Sequence, residues 1–220
     1  MSTSFTWSYS SLKDFINCPR QYHEVKVLRR FTKRMTPQMR YGSEVHSAIE
    51  DYVREGKPLK KNYEVYKPML DAINEIPGDK FCEHKMALDS QMNPCEYGRG
   101  YWVRGIADLL VVDDDTGFVV DYKTGSNKYP DVNQLKLMAV MAFAHFPELD
   151  RIKAGLLFVA HGSFITEDYE RDMVPEIWSK HFSPELQRLE TAYQTNVWNP
   201  NRTPLCGWCP VETCEHHKGY

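Results

Sequence analysis

A run rich in aromatic and β-branched residues, 101–112, gives way at Asp113-Asp114-Asp115-Thr116-Gly117 to a second run containing Phe118-Val119-Val120. So short and polar a join predicts a β-hairpin, because a parallel pair would need a crossover of a dozen or more residues. The hairpin carries three charged groups at strand ends: Asp108 in the first strand, Asp121 and Lys123 in the second. Asp121 and Lys123 are two residues apart and leave the same face of their strand.

Two carboxylates and an amine beside a hairpin are the raw material of a divalent-metal phosphodiesterase site. Hard cations such as Mg²⁺ or Mn²⁺ take oxygen ligands, which Asp108 and Asp121 supply. A bound ion acidifies a water and shields a phosphate. A lysine on the same face orients that water and stabilises developing charge. Taken alone, an Asp-x-Lys triplet is more often a salt-bridged pair on a solvated edge, so the wider pattern decides.

That pattern is Gly42-Ser-Glu-Val-His46, Gly105-Ile-Ala-Asp108, Asp121-Tyr-Lys123 and Gln134-Leu-Lys-Leu-Met138, in this order. It resembles the PD-(D/E)XK nuclease superfamily, and within it the RecB-type branch, over most of the chain. The resemblance implies an α/β restriction-endonuclease-like core, a mixed central sheet flanked by helices in the order α-β-β-β-α-β. It also implies roles. His46, Asp108, Asp121 and the backbone carbonyl of Tyr122 hold Mg²⁺ or Mn²⁺, Lys123 positions the attacking water, and Gln134 orients substrate or lysine. The branch carries a tyrosine where this chain has Met138.

Read from the residues alone, His46 lies in a helical segment, 37–54, with Val45, Ile49 and Val53 on one stripe and Thr36-Pro37 as a start signal. A lone histidine beside such a stripe is more often a packed core residue; within the motif order it is read as a ligand. A nitrogen donor would tilt the site toward Mn²⁺. Glu83, at the head of a strand-like segment, is either a further acid of the site or an exposed strand glutamate.

The second dense signal is Cys206-Gly-Trp-Cys209-Pro-Val-Glu-Thr-Cys214, three thiols in a tight segment that hold metal more often than a disulfide in a reducing compartment. The segment from Ser8 to Tyr22, which contains Cys18, resembles the opening of iron–sulfur members of the same branch, the AddB-type and CRISPR-adaptation nucleases. There one early and three late cysteines hold a [4Fe–4S] cluster, which would join the two termini here. Thiolates suit iron–sulfur clusters and zinc alike, and His216 and His217 keep a structural Zn²⁺ site open. Cys82 and Cys95 read as isolated, small-hydrophobe cysteines.

Composition excludes some classes. In 220 residues, 42% hydrophobic and 13% aromatic, there is material for one substantial core. The expectation is a single nuclease domain, 1–220, with 1–30 and 197–220 forming the cysteine subdomain. No run reaches the length of a membrane span and the start lacks a secretory pattern, so a cytoplasmic location in a bacterial, archaeal or phage-infected cell is expected. A net charge of −3 does not announce a nucleic-acid binder, although Lys26–Arg30, Lys33-Arg34 and Lys60-Lys61 are local basic clusters. Thr124-Gly125-Ser126-Asn127-Lys128 lacks nucleotide-loop spacing, so any helicase activity would come from a partner.

Helices are expected at 11–18, 63–76, 133–146 and 176–196, and strands at 81–88 and 151–160 besides the hairpin. The helix at 133–146 is apolar nearly all round and reads as buried. Tyr101 and Trp102 could stack on bases, though strand packing is their commoner use. The functional expectation is a metal-dependent exonuclease on single-stranded DNA ends in recombination, repair, phage replication or CRISPR adaptation, with a helicase or recombination protein as partner. The alternative is a non-catalytic nucleic-acid-binding module or a cluster-stabilised subunit of a recombination complex.

Overall fold

The computed structural model describes residues 5–217. In chain order the helices are α1 (Tyr9–Asn17), α2 (Pro19–Tyr22), α3 (Pro37–Glu55), α4 (Lys67–Asn74), α5 (Asn133–His145), α6 (Val174–Ile177) and α7 (Ser183–Thr195). The strands are β1 (Asp79–Leu88), β2 (Val103–Asp113), β3 (Thr116–Lys123), β4 (Arg151–Phe158) and β5 (Ser163–Glu170). They divide into two compact units, one of residues 36–178 and one of the segments before 36 and after 178. No helix among the described residues is long and apolar enough to cross a membrane.

The larger unit holds a five-stranded sheet in the order β1-β2-β3-β4-β5. All neighbours are antiparallel except β3 and β4, which run parallel with α5 as their crossover. The architecture is the mixed α/β core that was expected, with one strand more. β5 went unforeseen because it is an edge strand whose Phe164 is exposed; that ring lies over Gly155 of β4, where a Cβ would come within 2.3 Å of it. The β2–β3 turn is tighter than expected. Asp113 pairs with Thr116, leaving Asp114 and Asp115 as the turn, with Asp114 at φ +49°. Gly117 belongs to β3, where its missing side chain admits Leu149.

α3 begins as its sequence dictates: the Thr36 side chain accepts the Met39 N–H, and Pro37 occupies the first turn. It ends at Gly56, whose φ of +66° suits a left-handed cap. Val45 and Ile49 of its stripe are fully buried. They pack with Phe118, Val120 and Tyr122, the even-numbered residues of β3. The odd-numbered Asp121 and Lys123 reach Gln134 of α5 instead. α3 and α5 thus cover opposite faces of the sheet.

This sidedness exposes a fault in β2. Leu109 and Val111 lie on the α3 side, yet a Cβ on Gly105 would sit 2.4 Å from Met138 Cε on α5. Residues an even number apart on an unbroken strand share a face, so the alternation slips once between Gly105 and Leu109. Cys82 pairs with Leu109 and His84 with Ala107, which leaves Glu83 opposite Asp108. Glu83 has φ +51°, a left-handed backbone costing a non-glycine residue about 1–3 kcal/mol.

In the smaller unit, Ser8 and Ser11 form a reciprocal capping box at the start of α1. Trp7 packs against Phe182, and Phe15, Tyr22, Tyr193 and Trp198 form an aromatic cluster. The single helix expected over 176–196 is broken into α6, a π-helical turn at Trp178–Phe182, and α7. Pro184 in the first turn of α7 removes an N–H and crowds the preceding turn, and a wider turn relieves both.

Candidate active site

Register alone aligns three acids across the sheet. Glu83 of β1 stands opposite Asp108 of β2, and the β2–β3 ladder stops at Leu109–Val120, one step before Asp108 would meet Asp121. Like charges directly opposite destabilise a sheet. The ladder is interrupted where they meet, and the carboxylates turn to other partners.

Asp108 Oδ2 accepts the Tyr122 N–H at 2.7 Å and lies 3.4 Å from His46 Nδ1. One ligand atom each from His46, Glu83 and Asp108 falls within 4.8 Å of the others. The left-handed backbone of Glu83 is at the slip that brings this about. Local sequence gives no sign of that conformation, which is why Glu83 could be read only as one of two alternatives.

Asp121 is engaged differently. It is 5% exposed. Its Oδ2 lies 2.5 Å from Lys123 Nζ, Gln134 Nε2 donates to its Oδ1, and Lys123 Nζ donates to Gln134 Oε1 at 3.0 Å. The three side chains close a triangle. Tyr122 connects the two groups: its amide serves Asp108, and its ring meets His46 edge-on at 6.0 Å. Its buried hydroxyl has no hydrogen-bond partner among the described residues. Met138 is buried against Gly105, a packing position, not a surface one.

The electrostatics are those of a site short of positive charge. Burial pushes the Asp121 carboxyl up to about 6, with Asp108 adding to the rise and Lys123 opposing it. Burial also raises Glu83, helped by Asp108 and Glu50. The hydrogen bond to Asp108 raises His46 against the opposing effect of burial. Two oxygen donors and an imidazole facing one another, with the Glu83 and neighbouring Asp121 carboxyls both raised by burial, fit a divalent cation.

The predicted thiols also come together. Cys18, Cys206, Cys209 and Cys214 line one small cavity with His216 and His217. Amides point at the sulfurs: Gln21 N–H and Asn201 N–H at Cys18 Sγ (3.5 and 3.4 Å), and Thr203 N–H at Cys206 Sγ (3.3 Å). Cys82 and Cys95 stand apart and half-buried.

Among curated proteins none matches. Two of the solved structures that the chain matches are as follows. A "Putative exonuclease" from Eubacterium rectale is 14% identical with a TM-score of 0.51, over 98% of this chain and 89% of that one. The crystal structure of SSO0001 is 12% identical with a TM-score of 0.49, over 100% and 90%. A family model, the PD-(D/E)XK nuclease superfamily, matches residues 6–214. Nucleases of that superfamily act on DNA with divalent metals, in keeping with the donor set around Asp108. With nearly its whole length matched, the chain belongs to the PD-(D/E)XK nuclease superfamily.

Proposed function

We propose that the protein is a RecB-type, metal-dependent exodeoxyribonuclease acting on single-stranded DNA ends. The observation that carries this reading is the meeting of two groups: the His46–Glu83–Asp108 donors and, one strand over, the Asp121–Lys123–Gln134 triangle. His46, Asp108, Asp121 and the Tyr122 carbonyl would hold Mg²⁺ or Mn²⁺, with Glu83 as a further donor. A divalent ion there supplies an acidified water and a counter-charge to phosphate. Lys123 is held by Asp121 and Gln134 with its ammonium fixed for that water and for the charge growing on the phosphate. Gln134 keeps the Lys123 and Asp121 side chains in register. Exonuclease action is favoured by the name of the Eubacterium rectale neighbour.

The four cysteines are assigned a structural [4Fe–4S] cluster. Cys18, Cys206, Cys209 and Cys214 line one cavity, and the likeness of the segment around Cys18 to iron–sulfur members of the branch favours the cluster, with structural Zn²⁺ as the alternative. Such a cluster suits a reducing, cytoplasmic setting and DNA end processing beside a helicase or recombination partner.

The test is cleavage of end-labelled linear and closed-circular single-stranded DNA with Mn²⁺, Mg²⁺ or EDTA, alongside Lys123→Ala. Metal-dependent loss of the linear substrate alone, reduced at least 100-fold in the variant, is the expected result. Cutting of circles would make the protein an endonuclease, and no cleavage by folded, metal-loaded protein would leave a binding module.

A further inference from the structure

A second constellation lies on β1, β2 and the segment that joins them, and takes no part in the chemistry above. Lys85 Nζ sits over the Tyr97 ring at 5.7 Å, the Arg104 guanidinium over the same ring at 5.3 Å, and Arg104 again over Tyr101 at 4.9 Å. Cation and ring alternate: Lys85, Tyr97, Arg104, Tyr101. Both cations are exposed and neither has a carboxylate partner among the described residues. The nearby Asp89 carboxylate is occupied by the amides of Gln91 and Asn93. In a chain of net charge −3, two cations held by rings instead of acids are a specific arrangement.

Stacking occupies the faces of a guanidinium and leaves its edge N–H groups free to grip a phosphate in bidentate fashion. It also fixes a long side chain beforehand, so less entropy is lost on binding. The strip is well placed for a strand leading to the cleavage site. Lys85 is two residues from Glu83 and Arg104 four from Asp108, about 7 and 13 Å along the strands. Lys85 pairs with Ile106, so Lys85 and Arg104 share one face, opposite the α5 side on which Gly105 lies. That is the side from which α3 delivers His46.

We propose that Lys85, Tyr97, Tyr101 and Arg104 form the docking strip for the DNA strand being cut. Lys85 and Arg104 hold phosphodiester groups one or two nucleotides from the reacting phosphate, and the tyrosine rings lie against unpaired bases. The assignment rests on the nuclease reading and adds to it the residues that contact the substrate strand.

The test is fluorescence anisotropy of labelled single-stranded and blunt duplex DNA with wild-type protein in EDTA, over a salt series. Arg104→Ala should weaken single-strand binding about tenfold whatever the sequence and lower the log–log salt slope by about 1. Arg104→Lys should restore the slope without the full affinity, since an ammonium cannot make the bidentate contact. Tyr101→Ala should weaken single-strand binding at least fivefold while leaving the slope and duplex binding unchanged. An Arg104→Ala protein with wild-type affinity and slope, or wild-type protein that binds no DNA, would overturn the strip. Because these measurements need no cleavage, Arg104-dependent binding by a protein that cuts nothing would sink the nuclease reading alone. Metal-dependent cleavage with Arg104-independent binding would sink the strip alone.

Discussion

Replacing Asp121 with asparagine should stabilise the metal-free protein at neutral pH while removing its activity. Folding raises the Asp121 pKa to about 6, with burial as the leading cause. A carboxyl raised in this way stabilises the fold while protonated; that contribution is complete below about pH 4 and lost as pH climbs through the folded value. Above pH 7 the metal-free wild type therefore holds a buried, ionised Asp121. A rise from the ordinary aspartate value of about 4 to about 6 corresponds to roughly 3 kcal/mol. Asparagine keeps the shape without the charge, so Asp121→Asn should gain nothing at pH 4 and about 6–12 °C in melting temperature at pH 8. Thermal melts followed by circular dichroism in EDTA at both pH values are the assay. Mn²⁺ should then raise the melting point of the wild type and not of the variant. Equal melting of the two proteins at pH 8 would refute the reasoning, because it would mean that Asp121 ionises at no cost.

Three further perturbations have defined outcomes. Glu83→Gln should weaken Mn²⁺ binding at least tenfold by calorimetric titration, because one of the three converging donors loses its charge; unchanged affinity would place Glu83 outside the metal site. Cys209→Ser should bleach a brown protein and lower its melting temperature, and unchanged colour and melting would rule out the cluster. Gly105→Ala brings a Cβ to 2.4 Å from Met138 Cε and 3.1 Å from Met141 Sδ. Both are flexible side-chain atoms, so chemical denaturation should register about 1 kcal/mol of destabilisation, relieved in part by Met138→Ala.

Much of the fold could be read from periodicity. The β2–β3 hairpin, the amphipathic α3 and the wholly apolar α5 each carry a signal confined to one segment, and each appears within a few residues of its expected bounds. What escaped depends on partners distant in sequence. Gly117 resembles a turn residue until Leu149 is seen to need its space. Ser163–Glu170 pairs on one side only, and its polar residues hide the strand. The site divides in the same way. The motifs named His46, Asp108, Asp121, Lys123 and Gln134, but not that Asp121 would be tied to Lys123 and Gln134 while Glu83 joined His46 and Asp108. That division follows from a single slip in β2 and a left-handed residue across from it, and neither leaves a mark in local composition.

The smaller unit draws on chain made at opposite times. Every residue of the larger unit has been polymerised by position 178, whereas the thiol at Cys214 arrives 36 residues later (214 − 178). At roughly 5–20 residues per second that is a delay of about 2–7 s. Throughout it the nuclease unit can fold, but Cys18 waits without its three companions. The proposed cluster could therefore assemble only after Cys214 has been made, and a chain cut short before Cys206 would carry the acids and the lysine without the three late thiols.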